Sequence, residues 1–160
     1  MSVADVGADP GSAAPDFSQA NRARPFVLDT NIVLDAFVFN DPAVQPLKLA
    51  LAANLIRWLA TPAMREELVR VLGYPRIMAR LALHQLSAAQ VLVQFDGQVR
   101  MVDVPAKASV TCRDPDDQKF IDLAVAHQSV LLSKDQAVLC LAKRLSVLHV
   151  RAQTLDDFAA

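Results

Sequence analysis

Apolar positions along the chain fall into short unbroken runs separated by longer amphipathic stretches. Phe26, Val27 and Leu28 form the first run, of the kind that a strand buried on both faces requires. Asp29 ends it abruptly, Thr30 and Asn31 follow, and Ile32 to Phe37 restarts the pattern as a short helix. Val38 to Pro46 carries Asn40, Asp41 and two prolines and reads as a loop. Leu47 to Ala53 reads as a helix with Asn54 as its C-cap, and Leu55 to Ala60 as a second strand. Thr61 and Pro62 then serve as N-cap and first residue of a helix. Its Met64, Leu68, Val71 and Leu72 recur at i, i+4, i+7 and i+8 and define a buried stripe.

Gly73, Tyr74 and Pro75 end that helix. A further helical pattern spans Arg76 to Leu86, and Ser87 with Gln90 makes a capping box that opens another helix to about Phe95. These elements form a helical cover on one side of the sheet. Val99 to Val104 alternates as a third strand, at an edge, closed by Pro105. Asp114 before Pro115 starts a helix that runs to about Gln128, with Phe120, Ile121, Ala124 and Val125 as its stripe. Val130 to Leu132 is a fourth strand, Ala137 to Leu145 a helix and Val147 to Val150 a last strand. Thr154 with Asp157 caps a terminal helix. Strands and helices alternating in this way predict a three-layer α/β/α architecture around a parallel sheet of about 4–5 strands.

Open parallel sheets take their ligands in the crevice beyond the carboxyl ends of the strands. Asp29 leaves the first strand at that end, and Asp135 leaves the fourth after Ser133 and Lys134. On the helix after the second strand, Glu66 points away from the buried stripe and Glu67 lies on its edge. Asp117 is in line with Phe120, Ile121 and Ala124, and a carboxylate on a buried face needs a partner. A helix dipole contributes only ~0.3–1 kcal/mol at an exposed site. Its neighbours have simpler roles: Asp114 is a cap, Asp116 a first-turn charge, and Asp122 an exposed flank. Carboxylates that converge in one crevice repel one another and raise their own pKa values unless a cation neutralises them. An all-oxygen ligand set selects Mg²⁺ or Mn²⁺ and not zinc, which suits metal-assisted attack of water on a phosphodiester.

Composition narrows the picture. With 160 residues, 53% of them hydrophobic, the chain suits a single domain. A net charge of -1 rules out a protein held on nucleic acid by bulk charge, so any such contact is local. Cys112 and Cys140 lack metal-ligand spacing and read as buried free thiols of a reducing cytoplasm. Residues 1–24 have no apolar periodicity and read as a disordered leader, which leaves 25–158 as the folded domain. The leader has no apolar core of a secretory signal. The stretch Leu47 to Ala60 is broken by Lys48, Asn54 and Arg57 and falls short of the roughly 20 residues of a membrane span. A soluble, cytoplasmic protein is expected. His84 stands alone and reads as a surface histidine.

The DTN after the first strand, Glu67 within EELVRVL, the segment RDPDDQKFIDLA and the SKD after the fourth strand resemble, in order and spacing, a PIN-domain nuclease. The similarity spans Pro25 to Phe158 and is greatest to the VapC-like toxin components of bacterial toxin–antitoxin pairs. It implies a PIN-like, Rossmann-like fold with Asp29, Glu67, Asp117 and Asp135 as acidic ligands of Mg²⁺ or Mn²⁺. Thr30, Asn31 and Ser133 would support them by hydrogen bonds. The implied reaction is cleavage of RNA by a metal-activated water, and the implied partners are an antitoxin protein and a second copy of the chain. Ser133 and Lys134 depart from the family, where Thr and Gly are commoner. Arg113, Lys119 and Lys134 surround the crevice in sequence and are candidates for phosphate contact. An aspartyl-phosphate enzyme would resemble DxD where Asn31 stands, and a receiver-like domain needs an acidic pair before the first helix. A non-catalytic PIN-fold module that binds RNA or protein is the remaining alternative, disfavoured by four intact carboxylates.

Overall fold

Five short strands frame the protein, whose structure, a computed structural model, describes residues 23–159. They are β1 (Arg24–Leu28), β2 (Ile56–Ala60), β3 (Arg100–Met101), β4 (Val130–Leu132) and β5 (Arg151–Gln153). All pair in parallel in the order β3-β2-β1-β4-β5. The helices between them are α1 (Thr30–Phe37), α2 (Gln45–Ala52), α3 (Pro62–Leu72), α4 (Pro75–Leu83), α5 (Ala88–Gln98), α6 (Gln118–His127), α7 (Gln136–Leu139), α8 (Ala142–Val147) and α9 (Leu155–Ala159). Short 3-10 turns, Pro42–Val44 and Pro115–Asp117, lead into α2 and α6. The chain steps one way along the sheet from β1 to β3 and the other way from β3 to β5. Right-handed crossovers therefore put α1–α5 on one face and α6–α8 on the other, the predicted three layers.

The direction of winding reverses between β1 and β4, whose register pairs Phe26 with Val130, Val27 with Leu131 and Leu28 with Leu132. All six side chains are buried, as unbroken apolar runs require in a sheet covered on both faces. One residue further on, the two chains leave the sheet side by side as Asp29 and Ser133. On one face Trp58 of β2 packs against Phe37 of α1 (5.9 Å) and edge-on to Phe95 of α5 (5.2 Å). Phe158 of α9 meets Phe26 edge-on at 5.5 Å. Helix starts follow the sequence closely. Thr61 accepts from Met64 N–H at 3.4 Å, Ser87 and Gln90 form the reciprocal capping box, and Thr154 accepts from Asp157 N–H at 3.1 Å.

Several boundaries differ from the sequence reading, each for a local reason. β1 begins at Arg24, paired with Ile56, so the last residue assigned to the leader already belongs to the sheet; residues 1–22 lie outside the described residues. Helix α2 starts at Gln45 because Pro46 occupies its first turn, where its missing N–H costs nothing. The third strand shrinks to two residues and ends the sheet after Val102 N–H reaches Ala60 O at 2.9 Å. Gln128, expected to be helical, takes φ 49° and caps α6. The helix expected over Ala137–Leu145 is two, α7 and α8, and β5 follows rather than overlaps α8. His149 adopts φ 65°, and Val150 N–H returns to Leu145 O at 3.0 Å, closing α8 before the strand starts.

Two side-chain expectations are also corrected. Cys112 is buried but Cys140 is exposed, because α7 ends at Leu139 and leaves Cys140 on its solvent side. Asp122 is no exposed flank: half-buried, it accepts from Ala108 N–H at 2.9 Å and Gln118 Nε2 at 2.8 Å and straps the loop before the acidic segment to α6. His84 is exposed, as expected. Among the described residues no helix is long and apolar enough to cross a membrane.

Candidate active site

Asp29 leaves β1 with its backbone still in the ladder, donating N–H to Leu132 O at 3.1 Å. Its side chain caps α1: Oδ1 accepts from Asn31 N–H at 2.9 Å. Oδ2 accepts from the Ser133 hydroxyl at 2.6 Å, across the switch point from β4. Ser133, fully buried, accepts in turn from Asp135 N–H at 3.1 Å, so one hydroxyl ties the Asp29 carboxylate to the Asp135 backbone. Asp135 then caps α7 by accepting from Ala137 N–H at 2.9 Å.

The acidic segment after β3 enters the same crevice. Asp114 caps the 3-10 turn by accepting from Asp116 N–H at 3.0 Å. That turn aims Asp117 inward, 9% exposed, while Asp116 stays in solvent. Asp114, Asp117 and Asp135 bring carboxylate oxygens within 4.8 Å of one another. Gln118 holds the segment in place, accepting from Cys112 N–H at 2.6 Å and donating to Val110 O at 3.0 Å. Asp114 is therefore more than the cap that its place before Pro115 indicated. A capping carboxylate spends one oxygen on the helix and keeps the other, and the spacing of Asp114 to Asp117 was the available signal.

Glu67 of α3 faces the crevice and Glu66 faces solvent, as the helix periodicity predicted. Glu67 accepts from the Thr30 hydroxyl and pairs with Lys119 of α6. Asp29, Glu67 and Asp117 line one cavity of about 660 Å³ that continues over Phe39, Val71, Tyr74 and Arg76. The exposed Asn31 also lines it; its contribution to Asp29 comes from the backbone, which leaves its amide side chain toward the cavity. A larger cavity of about 880 Å³ opens at the amino ends of β2 and β3, among Lys48, Trp58 and Arg100, and touches none of these carboxylates.

The basic residues divide. Lys119 is at the site, with its charge set against Glu67. Lys134 turns away to Asp35 on α1, at 3.0 and 2.8 Å from its two oxygens, and so neutralises a carboxylate that is 4% exposed. Arg113 is exposed and does not line the cavity. Asp35 went unassigned in the sequence. It lies four residues after Asn31 in α1, and only the departure at Lys134, where the family commonly has Gly, hinted that a buried acid needed a partner.

Crowding sets the electrostatics. Burial pushes the Asp29 carboxyl above its ordinary range, against the hydrogen bonds from Ser133 and Asn31; Asp135 and Glu67 add to the rise. Asp117 is pushed to about 7 by burial first, then by a hydrogen bond to Asp135 that only a protonated carboxyl can make, and by the charges of Asp29, Asp135 and Asp114. Its Oδ2 is buried with no hydrogen-bond partner. A buried carboxylate oxygen without a donor, beside two others in an all-oxygen set, fits a hard divalent cation.

A family model described as PIN domain matches residues 25–137. No curated protein matches the chain. Among solved structures, the chain is similar to a chain from the crystal structure of VapBC2 from Rickettsia felis bound to a DNA fragment from their promoter. The TM-score is 0.57 at 14% identity, over 81% of this chain and 98% of that one.

Proposed function

The chain belongs to the PIN domain family, and on that premise we propose that it is a Mg²⁺- or Mn²⁺-dependent endoribonuclease, the toxin of a toxin–antitoxin pair. The observation that carries the proposal is Asp117: buried, raised to about 7, with one oxygen unpartnered beside Asp114 and Asp135. A structural carboxylate would have been given donors; this one is left for a ligand.

Asp114, Asp117 and Asp135, whose carboxylate oxygens converge, would hold the cation, with Asp29 and Glu67 serving directly or through water. When bound, the cation supplies Lewis acidity toward a phosphate and lowers the pKa of water. The chain's own residues do the positioning. Ser133 fixes Asp29 and Asp135 relative to each other, and Thr30 and Lys119 orient Glu67. Asp117, whose carboxyl burial and neighbouring acids raise to about 7, would be held deprotonated once the cation is bound. RNA is the proposed substrate, an antitoxin protein and a second copy of the chain the proposed partners, and the cytoplasm the proposed location. The similarity to a chain of a VapBC complex supports the antitoxin.

The test is cleavage of a mixed RNA panel with Mg²⁺ or Mn²⁺ by wild type, Asp29→Asn and Asp117→Asn, each checked for folding. Metal-dependent cutting by wild type, lost in both folded variants, is expected. Folded wild type that cuts no substrate and gains no thermal stability from either metal would refute the proposal and favour a binding module.

A further inference from the structure

The carboxylates occupy only one end of the 660 Å³ cavity. Its remainder is built of Leu34, Phe39, Val71 and Ile77, with Tyr74 in the turn that joins α3 to α4 and Arg76 in the first turn of α4. Tyr74, the only tyrosine of the chain, is 49% exposed. Phe39 is braced from outside by the Arg80 guanidinium, 5.0 Å from its ring centroid. Metal chemistry on a phosphate needs none of this apolar and aromatic surface. The volume is within the range of small-ligand sites, roughly 300–1,000 Å³.

We propose that this region is a base-binding subsite: one unstacked nucleobase lies on Tyr74 beside the scissile phosphate, and Arg76 faces an adjoining phosphate of the same strand. The inference rests on the nuclease reading and adds to it the side chains that would hold the substrate strand beside the reacting phosphate. Three features select this occupant. The cavity is continuous with the carboxylates, so its filling is covalently attached to whatever reacts there, and what reacts is a phosphodiester. A nucleobase is the part of such a strand with a flat, neutral face for an aromatic wall. The net charge of -1 gives no bulk attraction to a polyanion, so local stacking must supply affinity that a basic protein would draw from charge. A paired base inside a duplex cannot enter a concave site without being unstacked.

Tyr74→Ala and Tyr74→Phe are compared with wild type on one RNA sequence, single-stranded and as duplex, and on single strands with an abasic nucleotide walked across the cleaved bond. Thermal melts confirm equal folding. Wild type is expected to cut the single strand and spare the duplex. Tyr74→Ala should raise KM about 10- to 100-fold with kcat largely kept, whereas Tyr74→Phe stays near wild type. One abasic position should raise the wild-type KM equally yet leave Tyr74→Ala unmoved, which a merely structural tyrosine would not produce. Wild-type KM in folded Tyr74→Ala, or equal cutting of duplex, overturns the subsite and leaves the nuclease standing; the apolar surface then suits a segment of a protein partner. If wild type cuts no RNA but binds a labelled single strand, and Tyr74→Ala weakens that binding, the nuclease reading fails and the subsite survives.

Discussion

Asp117→Asn should make the metal-free protein more stable while removing its response to metal. In the native structure the Asp117 carboxyl is raised from 3.8 to about 7, about three pH units, and each unit corresponds to about 1.4 kcal/mol between protonation states. Between those two values the folded protein holds a proton that the unfolded chain has released. Folded molecules then bind more protons, so stability falls as pH rises through the window, with the full penalty above about 7. The ceiling is about 4 kcal/mol; because part of the rise depends on the charges of Asp29, Asp135 and Asp114, about half of it is expected, near 2 kcal/mol. Asparagine mimics the protonated form and can donate to Asp135. For a chain of this length that gain corresponds to about 4–8 °C in Tm. Melts in chelator should coincide for the two proteins near pH 4 and separate in favour of the variant by pH 8. Added Mn²⁺ at about 100 times its Kd should stabilise wild type by about 2.7 kcal/mol and leave the variant unmoved. A variant less stable than wild type at pH 8 in chelator, or a difference that does not grow with pH, would refute the account.

Other expectations follow from single contacts. Ser133→Ala removes the hydrogen bond that lowers the Asp29 pKa, so the acid limb of the pH–rate profile should move to higher pH, with about 1–2 kcal/mol of stability lost in denaturant melts. Thr30→Val should cut the cleavage rate about 10- to 100-fold through loss of Glu67 orientation, and Thr30→Ser should restore most of it; equal rates for all three would remove Thr30 from the site. Lys134→Met leaves buried Asp35 unpaired and should lower stability by about 1–3 kcal/mol. Combining it with Asp35→Asn should recover most of that. An unchanged melt with a raised KM for RNA would instead make Lys134 a phosphate contact.

Helix starts were legible in the sequence because they are written in side chains. Thr61, Ser87, Asp114 and Thr154, the caps read in the sequence, each accept from a backbone N–H at the start of a helix or 3-10 turn, and Asp29, Asp41 and Asp135, not read as caps, do the same. Helix ends were less legible, and the reason is conformational. After α2, α4, α6 and α8 the chain turns through a left-handed residue, and the next N–H returns five residues to close the helix. Those turning residues are Asn54, Gln85, Gln128 and His149. Glycine normally signals such a turn; here only Asn54 announces it. Ends read from apolar periodicity alone were therefore misplaced around Leu145 and Val150, and β5 was drawn too early.

The same double use of residues explains what the sequence revealed of the site. Asp29, Asp114 and Asp135 are caps as well as members of the acidic crevice, so capping chemistry alone cannot separate a structural Asp from a ligand. It masked Asp114 and would have accounted for Asp29 and Asp135 equally well. What distinguished Asp29 and Asp135 was topology, since both leave adjacent parallel strands at the point where the winding reverses. Asp117 differs in kind. It makes no side-chain cap to a helix, is buried, and keeps one oxygen without a donor. Three carboxylates are held by bonds that folding itself requires, and the fourth is left to an external charge. The fold thus leaves an unmet electrostatic need at Asp117, where a cation would be bound and where removing the charge should stabilise the protein at the expense of its chemistry.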